Sequence, residues 1–100
     1  MKIVALSSDL MDRSRISAAV GDVEFARDAR GCADADVVVI DLARHGGDVA
    51  EVRRVAPDAR IVAFGPHVDV ALLDRARADG ADTVLPRSAF FQNPAGALAP

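Results

Sequence analysis

Three short runs of the chain are apolar at every position: Ile3 to Leu6, Val37 to Ile40 and Ile61 to Phe64. They are rich in β-branched residues, the pattern of strands buried on both faces of a parallel sheet. Two weaker runs, Val23 to Phe25 and Thr83 to Leu85, predict shorter strands nearer the edges. Between the runs the spacing of apolar residues becomes helical. A first helix is predicted from about Asp9 to Val20, with Asp9 as N-cap, Asp12 in the first turn and Ile16, Ala19 and Val20 on the inner face. Gly21 ends it. A short, Ala-rich second helix is predicted from about Arg27 to Ala33, interrupted by Gly31. A third helix, from about Asp48 to Ala56, turns Val49, Val52, Val55 and Ala56 inward and stops before Pro57. A fourth, from about Asp69 to Asp79, turns Leu72, Leu73 and Ala76 inward and is closed by Gly80. The remainder predicts one turn around Phe90-Phe91, then fraying through Asn93-Pro94.

Strands and helices therefore alternate through the chain, which implies a parallel sheet with right-handed crossovers and helices on both faces. The expected fold is an α/β three-layer sandwich of flavodoxin-like type, its five strands in the order 2-1-3-4-5 and its final helix truncated. One domain is expected over residues 1–92, with a disordered tail over 93–100. One hundred residues leave no room for separate catalytic and binding domains, and a core this small makes each large apolar residue a candidate for packing before function.

Charge and composition narrow the function. Fifteen acidic residues interleave with twelve basic ones and no basic stripe exists, which argues against nucleic acid as a partner. Cys32 stands alone, so neither an internal disulfide nor a cysteine-based zinc site can form; it is expected as a small buried filler. The apolar start is too short for a secretory h-region, and nothing approaches the roughly 18 apolar residues of a membrane span. The expected location is the cytoplasm.

In a sheet of this order, sites form at the carboxyl ends of the strands. That places Ser7, Ser8 and Asp9, then Asp41, then Gly65 and His67, then Arg87 around one crevice. The first loop is not glycine-rich, so it is no ordinary phosphate cradle. His45 and His67 have no diagnostic spacing and are expected to be exposed, and Ser7 and Ser8 have no evident His–Asp relay.

Lys2 to Arg13, Asp36 to Leu42, Pro57 to Phe64 and Gly80 to Arg87 resemble the receiver domains of two-component response regulators, a likeness running from residue 2 to about 90. The resemblance implies that Asp41 would accept a phosphoryl group from a histidine kinase. Acids after strand 1 would hold Mg²⁺, a hydroxyl after strand 4 would touch the phosphoryl group, and so would a Lys after strand 5. Of these positions only Asp41 matches. The acids fall on Ser7 and Ser8 with Asp9 one place late, the hydroxyl on Gly65 and the Lys on Arg87, and the Pro that usually follows is Ser88. Hydroxyls are poor Mg²⁺ ligands, and an Arg fork is not a mobile ammonium.

The expectation is accordingly a degenerate receiver-like module, not an enzyme, that works through protein contact. No cofactor is expected, and Mg²⁺ only if Asp41 is phosphorylated. Arg87 is expected to pair with Asp41. Phe90 and Phe91 are expected to form part of an apolar patch that supports a homodimer. A single-domain regulator phosphorylated on Asp41 and a small-ligand-binding flavodoxin-like domain are the alternatives.

Overall fold

A computed structural model describes residues 1–100. Five parallel strands form one sheet in the order β2-β1-β3-β4-β5. They are β1 (Ile3–Leu6), β2 (Glu24–Phe25), β3 (Val37–Asp41), β4 (Arg60–Gly65) and β5 (Thr83–Pro86). The central pair is in register from Ile3 opposite Val37 to Leu6 opposite Ile40, and Asp41 lies opposite Phe64 on the other side. Because strand side chains alternate, each apolar run feeds two cores. Val4, Leu6, Val38, Ile40, Ile61 and Ala63 point to one face, and Ile3, Ala5, Val37, Val39, Val62 and Phe64 to the other.

The first face is covered by a 3₁₀ turn (Ala29–Cys32), α2 (Leu42–His45), α3 (Val49–Val55) and α4 (Val70–Ala78). The 3₁₀ turn replaces the expected Ala-rich helix, and Cys32 is buried in that layer as expected. The second face is covered by α1 (Leu10–Val20), α5 (Arg87–Gln92) and α6 (Pro94–Leu98). On α1 the inward stripe is Asp12, Ile16 and Val20, one residue per turn; Ala19, expected inside, faces water. Asp9 caps this helix as expected, its carboxylate accepting the Asp12 N–H at 3.0 Å.

The end of the chain departs most from expectation. Residues 94–98 form a helix whose Leu98 is buried, where a disordered tail was expected over 93–100. Pro94 sits in the first turn of α6, where its missing N–H costs nothing, and Asn93 caps the helix through the Gly96 N–H. At the other end the Arg60 guanidinium donates to the carbonyls of Ala97 (3.0 Å), Leu98 (2.9 Å) and Ala99 (2.6 Å), groups a helix end leaves unpaired. The final helix is thus split in two at Asn93.

Both phenylalanines also pack inward. Phe90 is fully buried with its ring stacked on Phe64 at 4.7 Å, and Phe91 meets both rings edge-on at 5.0 Å. Phe90 is therefore core, and its assignment to an interaction surface is corrected. Phe91 is half-buried beneath Arg15 and Arg87, whose guanidiniums lie 4.2 and 4.9 Å from its ring centre. Two adjacent residues reach the same core because one ring stacks on Phe64 and the other meets it edge-on.

The Gly-Ala-Asp that precedes β5 is a structural clip. Asp82 accepts the Ile61 N–H at 2.8 Å and pairs with Arg53 at 2.7 Å, and Arg53 also donates to the Gly80 carbonyl. Gly80 has φ +116°, a conformation other residues rarely adopt. No helix is long and apolar enough to cross a membrane.

Candidate functional site

The parallel sheet delivers the loops after β1, β3, β4 and β5 to one rim. Asp41 ends β3 at that rim and is 3 % exposed. It is also the N-cap of α2, its Oδ1 accepting the Ala43 N–H at 3.1 Å. Burial pushes the Asp41 carboxyl above the ordinary carboxylate range, and the nearby charge of Asp12 adds to the effect. The Ala43 N–H, Arg87 and Arg44 pull the other way and do not cancel it.

Arg87 does not bond to Asp41, which corrects the expected pair. Its guanidinium grips Asp12 with both nitrogens: Nη1 donates to Oδ2 at 2.8 Å and Nη2 to Oδ1. The Asp12 side chain is only 2 % exposed, while that of Arg87 is 44 % exposed. The reason lies in the placement of the two acids. Asp41 spends an oxygen on the end of α2, whereas Asp12 points inward from α1 with no other partner. A planar fork matches a carboxylate with two free oxygens. Sequence reading missed Asp12 as a site residue, although a signal existed: it lies four residues before Ile16 and eight before Val20, on the buried stripe. A carboxylate there demands a cation.

Ser7 is 3 % exposed, and its hydroxyl has no hydrogen-bond partner. Ser8 is exposed, and its Oγ lies 2.9 Å from His45 Nε2. His45 Nδ1 lies in turn 3.1 Å from Asp48 Oδ2, and the His45 side chain is 12 % exposed. The relay that the sequence did not reveal is thus present, and the expectation of an exposed His45 is corrected. His67 is exposed, as expected.

Asp9 has its Oδ1 in the α1 cap and its Oδ2 3.9 Å from Arg44. Its carboxyl is held below the usual range, chiefly by the Asp12 N–H. Gly65 is packed beneath Leu73 and Leu42, which would stand 3.2 and 3.3 Å from a β-carbon built there. A hydroxyl side chain at that position would have to displace both.

These residues do not fit the Mg²⁺ that the receiver resemblance implies. Mg²⁺ needs free anionic oxygens in near-octahedral array. Both oxygens of Asp12 are taken by Arg87, Asp9 is a helix cap, and no three His, Cys, Asp or Glu residues are grouped to hold a metal ion.

The sheet order and the layers around it are those of the receiver fold. No family model matches the chain, and no curated protein matches its sequence. Among solved structures, it is similar to a response regulator from Burkholderia pseudomallei described with a phosphorylated aspartic acid, calcium and citrate. The TM-score is 0.81 at 18 % identity over 98 % of this chain, which spans 66 % of that one. The signal receiver domain of an HD domain-containing protein from Pseudomonas fluorescens Pf-5 superposes at TM-score 0.79 and 18 % identity, covering 97 % of this chain and 90 % of that one. A CheY-like protein from Pseudomonas aeruginosa PAO1 superposes at 0.77 and 20 % identity, covering 96 % and 94 %. At these identities the likeness is one of fold.

Proposed function

We propose that this chain is a receiver-like regulatory module of the cytoplasm that works by contact with another protein and without phosphoryl transfer at Asp41. The observation that carries the reading is the Arg87 fork on Asp12. Phosphoryl transfer to a carboxylate relies on neutralising the charge of the incoming group, with a divalent ion as the main neutraliser. Here the acid nearest in charge to Asp41 already has a permanent organic cation, and Asp41 itself is buried and engaged as a helix cap.

The contact face follows from what the rim leaves in water. Leu10 and Met11 at the start of α1 are 75 % and 76 % exposed, and Val68 and Val70 at the start of α4 are 77 % and 61 % exposed. Apart from Met1, these are the exposed large apolar residues of the chain. All four stand at the end of the sheet where Asp41 lies, and covering them in a complex would recover about 25 cal/mol for each Å² removed from water.

The test is intact mass after incubation of the chain with Mg²⁺ and acetyl phosphate. The expected mass is unchanged. A Mg²⁺-dependent gain of one phosphoryl group that disappears in Asp41→Asn would overturn the reading in favour of a phosphorylated regulator.

A further inference from the structure

The Ser8–His45–Asp48 chain of hydrogen bonds has no part in the reading above. We infer that Ser8 is an activated nucleophile that takes an acyl group from small esters bearing a negative charge. Ser8 comes from the loop after β1, His45 from the last residue of α2 and Asp48 from the 3₁₀ turn that follows it, so the fold joins Ser8 to His45 across 37 residues of sequence.

The bonding orders itself. The Asp48 carboxylate can only accept, so in the neutral imidazole Nδ1 carries the proton and Nε2 is left to accept from the Ser8 hydroxyl. A hydroxyl, a base within hydrogen-bond reach and a third group orienting the base are the parts a serine nucleophile needs. Exposure runs in the useful sense, with Ser8 open to water and the His45 side chain only 12 % exposed.

Ser8 also opens onto a cleft of about 370 Å³, shared with Ser7, Arg13, Phe25, Ala26 and Arg27. Two guanidiniums and no acid line that cleft, so it favours an acyl group carrying a carboxylate. Arg13 is held in place by stacking 4.5 Å over the Phe25 ring. In the first step Ser8 Oγ bonds to the ester carbonyl carbon as its proton passes to His45 Nε2. The tetrahedral species then collapses: the bond to the leaving alcohol breaks, and that oxygen takes the proton from Nε2. Water reverses the sequence, giving its proton to Nε2 and releasing the acid and free Ser8. The net change is one ester and one water to one acid and one alcohol.

The probe is the mono-4-nitrophenyl ester of adipic acid, compared with neutral 4-nitrophenyl acetate and followed by nitrophenolate release, intact mass and peptide mapping of the full chain. The expected result is one acyl group on Ser8, absent in Ser8→Ala and formed roughly 10²-fold more slowly in His45→Gln, the lower end of general-base assistance. The anionic ester should react faster than the neutral one, and Arg27→Gln should remove that preference. Nitrophenolate release that is unchanged in Ser8→Ala, or equally fast in His45→Gln, would overturn the inference. If His45→Gln does not fold by circular dichroism, Asp48→Asn decides: slower acylation upholds the relay, and an unchanged rate refutes it.

Discussion

At the rim, topology sets where a residue stands and side-chain direction sets what it meets. Ser7, Asp9, Asp41 and Arg87 stand where strand ends put them, because that follows from topology. Which acid receives Arg87 depends on side-chain direction. Asp12 faces inward because its helical position is that of Ile16, and once buried it needs the cation more than Asp41 does. Removing Arg87 would leave a carboxylate that is 2 % exposed without its ion pair. Breaking one side of a fully buried pair costs about 3–5 kcal/mol. With the Arg87 side chain 44 % exposed, solvent screening brings the expected loss to roughly 2 kcal/mol. Arg75, whose pair with Asp79 is at the surface, should cost less than about 0.5 kcal/mol when changed to Ala. Denaturant midpoints of Arg87→Ala and Arg75→Ala check this, and equal midpoints would remove Arg87 from any structural role.

At the scale of elements, the strands and the long helices were legible because each spans enough residues to show a period. α2 was not: its four residues, Leu42-Ala-Arg-His45, are too few to repeat. Yet this element decides what Asp41 does, since the carboxylate is its N-cap. The burial of that carboxylate sets a pH dependence. The Asp41 carboxyl lies above its ordinary range in the folded chain, so ionising it costs folding free energy. That cost is absent below the unfolded value of about 3.9 and fully present once the pH exceeds the folded value. Asp41→Asn keeps an oxygen for the Ala43 N–H and loses the charge. It should therefore be more stable than the parent at pH 7, with the difference shrinking as the pH falls towards about 4. Thermal unfolding of both proteins between pH 3.5 and 7 measures it, and a variant less stable than the parent at pH 7 would contradict the sign.

At the scale of the whole molecule, the closing of the second layer removes the interface that the Phe pair suggested. With Phe90 in the core and Phe91 under two guanidiniums, α5 and α6 seal this face within one chain. Light scattering over a concentration series should give the monomer mass throughout, unchanged by Phe91→Ser. A dimer that grows with concentration and is lost in that variant would restore the face as a contact. The apolar runs, their spacing and the glycines between them determined the parallel sheet, its strand order and the rim on which any site must lie, since each is a local pattern that burial repeats along the chain. The Arg87–Asp12 fork, the Ser8–His45–Asp48 relay and the ordered tail held by Arg60 were decided only by tertiary structure. Each joins side chains or backbone 37 or more residues apart, except for the short His45–Asp48 link. Such meetings depend on where packed elements aim their side chains, which no periodicity encodes.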